Sequence, residues 1–437
     1  SLIYCLVSCS SRKRVLTEKF VAGFTFLAVS LFLAISHKYR GPAVWAGTLI
    51  LLITGTLGPI SAFKSINWNV MGIFGGTYLV AELFIYSRVP ARLADGLVAR
   101  SKNAAMALVL VCGLSGLISA FCENVATVMI VAPVAMVIAR RLKVSAIPFL
   151  VGIAVSSNLQ GAATLVGDPP SMLLASYSGM TFNHFFFFQG KPCLFFAIEL
   201  AAAVSLIVLY IAFRKYRQPV PRIEREPILS MVPSWLLIGM VAALAIVSFI
   251  FPDFEYGTGS VCMLFGAAGT IWFETRVKKG TFSLIKKFDW DTFFLLMGIF
   301  VLVEALRAVG IIAGLASFLA QMTRGNTFLA YNVVTWTSVF FSAFVDNVPY
   351  VTAMLPVGGM LAASMSISPY LLLFGIVIGA SVGGNITPIG AAANIVAFGI
   401  LKKAGENVTF GHFVKIGLPF TVVAVAVAYM FIWFFWR

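Results

Sequence analysis

Ser119-Ala120-Phe121-Cys122-Glu123-Asn124-Val125 and Ser342-Ala343-Phe344-Val345-Asp346-Asn347-Val348 are two copies of one motif, 223 residues apart. Each interrupts an apolar stretch, 103–139 and 327–363, that is otherwise long enough for two helices. The same offset carries Pro133 onto Pro356 and Thr164-x-x-Gly167 onto Thr387-x-x-Gly390, while Trp68 and Glu82 return 222 residues later as Trp290 and Glu304. A register held over about a hundred residues marks an internal duplication.

Composition says what solvent the duplicated unit is built for. Of 437 residues, 60% are apolar and 11% charged, with 40 Phe, 8 Trp and a mean hydropathy of +0.98. A soluble domain carries about a quarter charged residues, so a water-soluble globule is excluded. The net charge of +15 is spread in short Lys and Arg clusters between apolar runs, which is a topology signal and not a nucleic-acid footprint. The cysteines, Cys5, Cys9, Cys112, Cys122, Cys193 and Cys262, form no C-x-x-C pair, and His37, His184 and His412 fall in loops. Neither a disulfide framework, a zinc site nor an organic cofactor is expected. The apolar start precedes Ser-Arg-Lys-Arg instead of following it, so no signal peptide is expected.

Apolar runs predict ten spans, at 19–36, 43–63, 68–86, 146–177, 192–213, 233–251, 257–273, 290–306, 369–401 and 413–435. If the two interrupted stretches are re-entrant hairpins and the hydrophilic linker is cytoplasmic, 22 of the 31 Lys and Arg fall inside, among them Lys38, Arg40, Arg222 and Arg225. Both termini are then outside, with Arg12-Lys13-Arg14 the exception to the positive-inside rule. The expected organisation is an N-terminal segment at 1–18, a first repeat at 19–213, a linker at 214–232 and a second repeat at 233–437. Five crossings per repeat turn the second copy upside down. The expected fold is therefore an all-α polytopic membrane protein of two inverted repeats, each with five spans, a re-entrant hairpin and a broken helix, an architecture of secondary transporters.

Four segments put polar or glycine-rich backbone where hydrocarbon demands a continuous helix: Glu123-Asn124-Val125, Gly161 to Ser171, Asp346-Asn347-Val348 and Gly383 to Asn394. Such backbone is tolerated only inside protein or beside a wet cavity, so the four are expected to meet. Pro169-Pro170 and Pro388 break spans 146–177 and 369–401 into half-helices. Their N-termini favour an anionic substrate, and freed carbonyls with Asn or Thr oxygens suit sodium. The candidate binding residues are Glu123, Asn124, Val125, Thr164, Gly167, Asp168, Ser171, Asp346, Asn347, Val348, Asn385, Thr387, Gly390 and Asn394. Glu123 and Asp346 need compensation at membrane depth, from sodium, a proton or a partner such as Arg307; each can instead be a helix cap. Asp168, just before Pro169, is either an N-cap or a cation ligand. Glu82 and Glu304 are further coupling candidates, although Glu304 lies one turn from Arg307. Glu199 has no repeat partner, and Cys122 is read as a packing residue.

The two hairpin tips, followed by Val-Ala-Thr-Val-Met-Ile-Val-Ala-Pro133 and Val-Pro-Tyr-Val-Thr-Ala-Met-Leu-Pro356, together with the two broken-helix loops, resemble the ion transporter superfamily. Within it the chain is most similar to the arsenite permease and sodium/proton antiporter branch (ArsB/NhaD), which includes the melanosomal P protein. The resemblance runs over about residues 65 to 420. Divalent anion/sodium symporters of the superfamily carry Ser-Asn-Thr at both tips, a departure here that weighs against citrate or dicarboxylate. The resemblance implies cation clamps of Asn124 with Thr164 and Asn347 with Thr387, a homodimer, and a transport domain that slides as an elevator against a scaffold.

The expected function is transport of a small ion driven by a proton or sodium gradient, with no enzymatic activity, in an inner or plasma membrane. No Walker A pattern supports direct ATP use, although a separate ATPase subunit stays open. The alternatives are a sodium-coupled citrate or dicarboxylate symporter and, from another class, an ion channel. An intramembrane protease lacks its paired aspartates or His-Glu-x-x-His.

Overall fold

Helix starts fall where the sequence supplies caps, and the caps are duplicated. Asn67, Asn103 and Glu123 accept the backbone N–H of Val70, Met106 and Ala126, each at 2.9 Å. Asp289, Asn326 and Asp346 accept those of Thr292, Leu329 and Val348, at 3.0, 2.9 and 3.0 Å. Each cap satisfies one N–H that has no partner inside its helix.

The computed structural model describes residues 2–36, 39–219, 226–278 and 280–437. His37, Lys38, Arg222 and Arg225 lie outside the described residues, as do the side chains of Cys5, Cys9 and Arg12-Lys13-Arg14. In chain order the helices are α1 (Leu2–Ile35), α2 (Arg40–Ile53), α3 (Pro59–Ser65), α4 (Trp68–Tyr86), α5 (Val89–Arg100), α6 (Ala104–Ser119), α7 (Asn124–Leu142), α8 (Ile147–Gly161), α9 (Pro169–Ser178) and α10 (Leu194–Phe213). After the linker come α11 (Val232–Ile250), α12 (Gly257–Trp272), α13 (Thr281–Lys287), α14 (Trp290–Ala308), α15 (Ile311–Thr323), α16 (Thr327–Ser342), α17 (Asn347–Ser364), α18 (Tyr370–Gly383), α19 (Ala392–Lys403) and α20 (Phe410–Trp436). A two-residue antiparallel ribbon pairs Phe187–Phe188 with Lys191–Pro192 between α9 and α10.

Six helical stretches are long and apolar enough to cross a membrane: 16–35, 68–86, 124–142, 194–213, 232–250 and 410–436. α14 and α15 pass the same test only together, bent by 68°. Three expected spans are each divided in two. The run 43–63 splits into α2 and α3 because Gly55 takes a left-handed turn (φ +71°) and Pro59 opens the next helix. The runs 146–177 and 369–401 become α8 with α9 and α18 with α19, broken by the Gly and Pro residues between them. α1 continues back to Leu2 without a break at residue 18.

Packing sorts the helices into two bundles. In one, α4 crosses α12, α2 crosses α14, and α1 and α11 flank them; in the other, α6 to α10 interlock with α16 to α20. α5 and α15, the amphipathic stretches expected at 88–100 and 310–322, lie between the bundles. The α4–α12 crossing is close because small residues face one another. A Cβ at Gly72 would stand 3.2 Å from Gly259 Cα, one at Gly266 would stand 3.2 Å from Gly76 Cα, and Gly76 faces the backbone of Cys262. In lipid, where helices gain no hydrophobic drive to associate, such contact is what holds them.

Candidate functional site

The chain turns from α6 into α7 through Ala120 to Glu123, and from α16 into α17 through Ala343 to Asp346. These turns leave carbonyls that no helical N–H reaches, and a threonine from the adjacent broken-helix loop serves each one. Thr164 donates to the Ala120 carbonyl and Thr387 to the Ala343 carbonyl. Gly167 and Gly390 follow because the loop backbone runs against the hairpin. A Cβ at Gly167 would stand 2.9 Å from Ser119 O, and one at Gly390 2.8 Å from Ser342 O.

Around the first tip the polar atoms form a chain. Ser157 donates to Ser119 Oγ at 2.8 Å and to the Asn124 carbonyl at 3.2 Å, and Ser119 donates to Asn124 Oδ1 at 2.6 Å. The Asn124 side chain lies on Gly161. Around the second tip Ala380 stands where the repeat places Ser157, Ser342 donates to the Ala380 carbonyl at 2.5 Å, and half-buried Asn347 has no side-chain partner among the described residues. Val125 and Val348 pack into the apolar core beside the tips.

The two halves are joined by asparagines. Asn158 on α8 donates to Asn385 Oδ1 and Asn394 Oδ1, both at 2.8 Å. Asn385 donates back to Val155 O at 3.0 Å, and Asn394 donates to the carbonyls of Gly384 and Thr387 at 2.9 Å. All three are buried. Ser381, the repeat counterpart of Asn158, faces Asp168 from α18. Asp168 caps α9 by accepting Ser171 N–H at 3.0 Å.

The four acidic coupling candidates have different surroundings. Glu123 caps α7, is half-buried and has no cationic partner among the described residues. Asp346 caps α17 and is paired with Arg40 at 3.0 Å, the side chains 5% and 7% exposed. This corrects two expectations: Arg40 is not an inside-loop residue but a buried one, and it takes the place offered to Arg307, because the α17 tip lies against the start of α2. Arg307 sits 3.5 Å from Glu304 at the surface, as their spacing on one helix allows. Glu82 is buried and meets Lys287 Nζ at 3.5 Å. No hydrogen bond or ion pair joins Glu82 or Glu304 to the hairpin crossing. Glu199 accepts from Gln160 at 3.2 Å.

The Thr, Ser and Asn oxygens with the turn carbonyls are hard donors, the set that suits an alkali cation and not a transition metal. Among the described residues no three His, Cys, Asp or Glu gather to hold a metal. Beside Pro133 and Pro356 lie two clefts of about 400 Å³, counterparts under the repeat. One is lined by Arg88, Asp95, Arg141 and Glu226, the other by Asn67, Tyr177, Glu304, Arg307 and Thr352. Arg40 and Asn158 were absent from the sequence candidates. Asn158 left a signal, since Ser156-Ser157-Asn158-x-Gln160 is a polar run inside an apolar span.

Residues 30–366 match the family described as citrate transporter (CitMHS). An uncharacterized transporter of Mycobacterium tuberculosis is 30% identical over 425 residues, covering 95% of this chain and 96% of its own. The P protein of Sus scrofa is 25% identical over 402 residues, covering 73% of this chain and 47% of its own. Among solved structures, the YdaH transporter of Alcanivorax borkumensis superposes with a TM-score of 0.61 at 14% identity, over 95% of this chain and 97% of that one. MtrF of Neisseria gonorrhoeae does so with a TM-score of 0.56 at 13% identity, over 95% and 94%. At these identities the two structures speak for the fold alone.

Proposed function

Because the chain belongs to the citrate transporter family CitMHS, we propose that it is a secondary active transporter carrying a small ion across a membrane at the expense of a proton or sodium gradient. The observation that carries this reading is the asparagine junction. Two broken helices, one from each half, are pinned to each other at Asn158, Asn385 and Asn394, and each is strapped to a hairpin by Thr164 or Thr387. Half-helix ends and freed carbonyls meeting at a repeat boundary are what a carrier needs to hold an ion out of water. We read the halves, 19–213 and 233–437, as inverted repeats, the linker as cytoplasmic and both termini as outside.

The division into two bundles supports an elevator, with α6 to α10 and α16 to α20 moving against α1, α2, α4, α11, α12 and α14. The clefts beside Pro133 and Pro356 lie on the two sides of this moving unit and would serve as its openings. The hairpin carboxylates are the coupling groups in this reading, and the Asn124/Thr164 and Asn347/Thr387 oxygens the cation clamps. The protein works as a homodimer without an ATPase subunit, and its substrate chemistry is that of an ArsB/NhaD-like antiporter or permease. The family's description as citrate transporters favours a second reading, a sodium- or proton-coupled citrate or dicarboxylate symporter.

Reconstituted vesicles containing a pH-sensitive dye, challenged in turn with sodium, citrate, succinate, phosphate and arsenite, decide the matter. A saturable flux stimulated by substrate on the opposite side is expected for a carrier. Flux that rises linearly with concentration, without such stimulation, would identify a channel and overturn the reading.

A further inference from the structure

Arg40 stands at the first position of α2, where the partial positive charge of a helix N-terminus repels a cation. Two carboxylates from the second half compensate there. Asp291 accepts the Gly41 N–H at 3.0 Å, and Asp346 pairs with the guanidinium at 3.0 Å. The first half builds the same junction without the cation. Asn69, 222 residues before Asp291, accepts the Gly259 N–H at 2.8 Å. α12 packs on α4 as α2 packs on α14, and the residue before Gly259 is Thr258 where α2 has Arg40. The ionisable groups facing Glu123 are Tyr78, Asp168 and Asp289, none of them cationic, and the nearby Lys287 is engaged by Glu82.

We propose that Arg40 is a tethered counter-ion that occupies, at the Asp346 tip, the place an exchangeable cation takes at the Glu123 tip. The two hairpins then have unequal jobs: the first exchanges the driving cation and the second is neutralised permanently from the opposing bundle. This rests on the transporter reading above and sharpens it to a single exchangeable site beside Glu123.

The test compares Arg40→Gln, Asp346→Asn, the double variant, Arg40→Lys and Glu123→Gln in reconstituted vesicles, with melting temperature read alongside flux. Each single loss at the Arg40–Asp346 pair leaves a buried charge unpaired and should slow flux more than about tenfold. The double variant should recover flux together with the wild-type dependence on the sodium or proton gradient, whereas Glu123→Gln should lose that dependence. A double variant that loses gradient dependence as Glu123→Gln does, or that recovers melting temperature but not flux, overturns the proposal. If the double variant does not fold, Arg40→Lys decides: retained gradient dependence supports the counter-ion, and its loss overturns it. Wild-type protein with no saturable flux under any gradient would defeat the transporter reading, which is a separate result.

Discussion

Asn158 donates its side-chain amide to Asn394 Oδ1 at 2.8 Å across 236 residues of chain. Replacing Asn158 by Ala should orphan the Oδ1 atoms of both Asn385 and Asn394, at about 1–3 kcal/mol for each buried acceptor left unpaired. Thermal unfolding in detergent, followed by gel filtration, should show a clear loss of stability. An unchanged melting temperature would mean that the halves are held together elsewhere.

The α4–α12 crossing gives a contrast between two glycines. Gly76→Leu should abolish folding or lower the melting temperature sharply, because the backbone of Cys262 already fills the space and overpacking costs about 1–3 kcal/mol or more. Gly96→Ala on α5, with nothing near the added carbon, should be neutral or stabilise by about 0.5–1 kcal/mol. Yield and melting temperature of the two variants check this.

Thr164→Val and Thr387→Val keep the shape of the side chain and remove the hydroxyl that satisfies Ala120 O or Ala343 O. Each should cost about 1–3 kcal/mol, and the serine variants should recover most of it. A valine variant as stable as the wild type would show that water satisfies the turn carbonyl.

His184 Nδ1 accepts the Thr181 N–H at 3.0 Å, and burial holds the imidazole below its ordinary value of 6.5. The folded turn favours the neutral ring, so the unfolded chain binds more protons as the pH falls below 6.5. The turn's stability is thus fully present above that value and declines beneath it. Hydrogen exchange of residues 181–186 should quicken between about pH 7.5 and pH 5, and the His184→Ala variant should lack this pH dependence.

Arg307→Gln should change stability by no more than about 1 kcal/mol, since its partner contact with Glu304 is exposed to solvent. A larger loss in a denaturation series would mean that the Pro356 cleft depends on the pair.

The duplication, the hairpin turns and the broken helices were legible because each rests on local chemistry: Asp or Asn at a cap, Pro after a turn, Gly where backbones touch. The divided span at 43–63 was misread because one left-handed glycine, Gly55, weighs little against twenty apolar neighbours. Arg40 was misassigned for a different reason. Positive charge beside an apolar run signals a cytoplasmic loop only when the residue reaches water, and whether Arg40 does so depends on Asp346, 306 positions away. Asn158 shows the same limit, since its partners belong to the other half.

The chain passes between the two bundles three times, through α5, through the linker and through α15. α5 and α15 have 12 and 13 residues, making struts of about 18 and 20 Å. Each begins at a left-handed residue, Arg88 (φ 59°) or Gly310 (φ 78°), where the backbone bends sharply instead of continuing a helix. A helix can pivot about such a joint but cannot stretch. Any excursion of one bundle past the other is therefore a swing at fixed radius, like that of a pair of cranks, and shortening either strut by one turn should shorten the stroke.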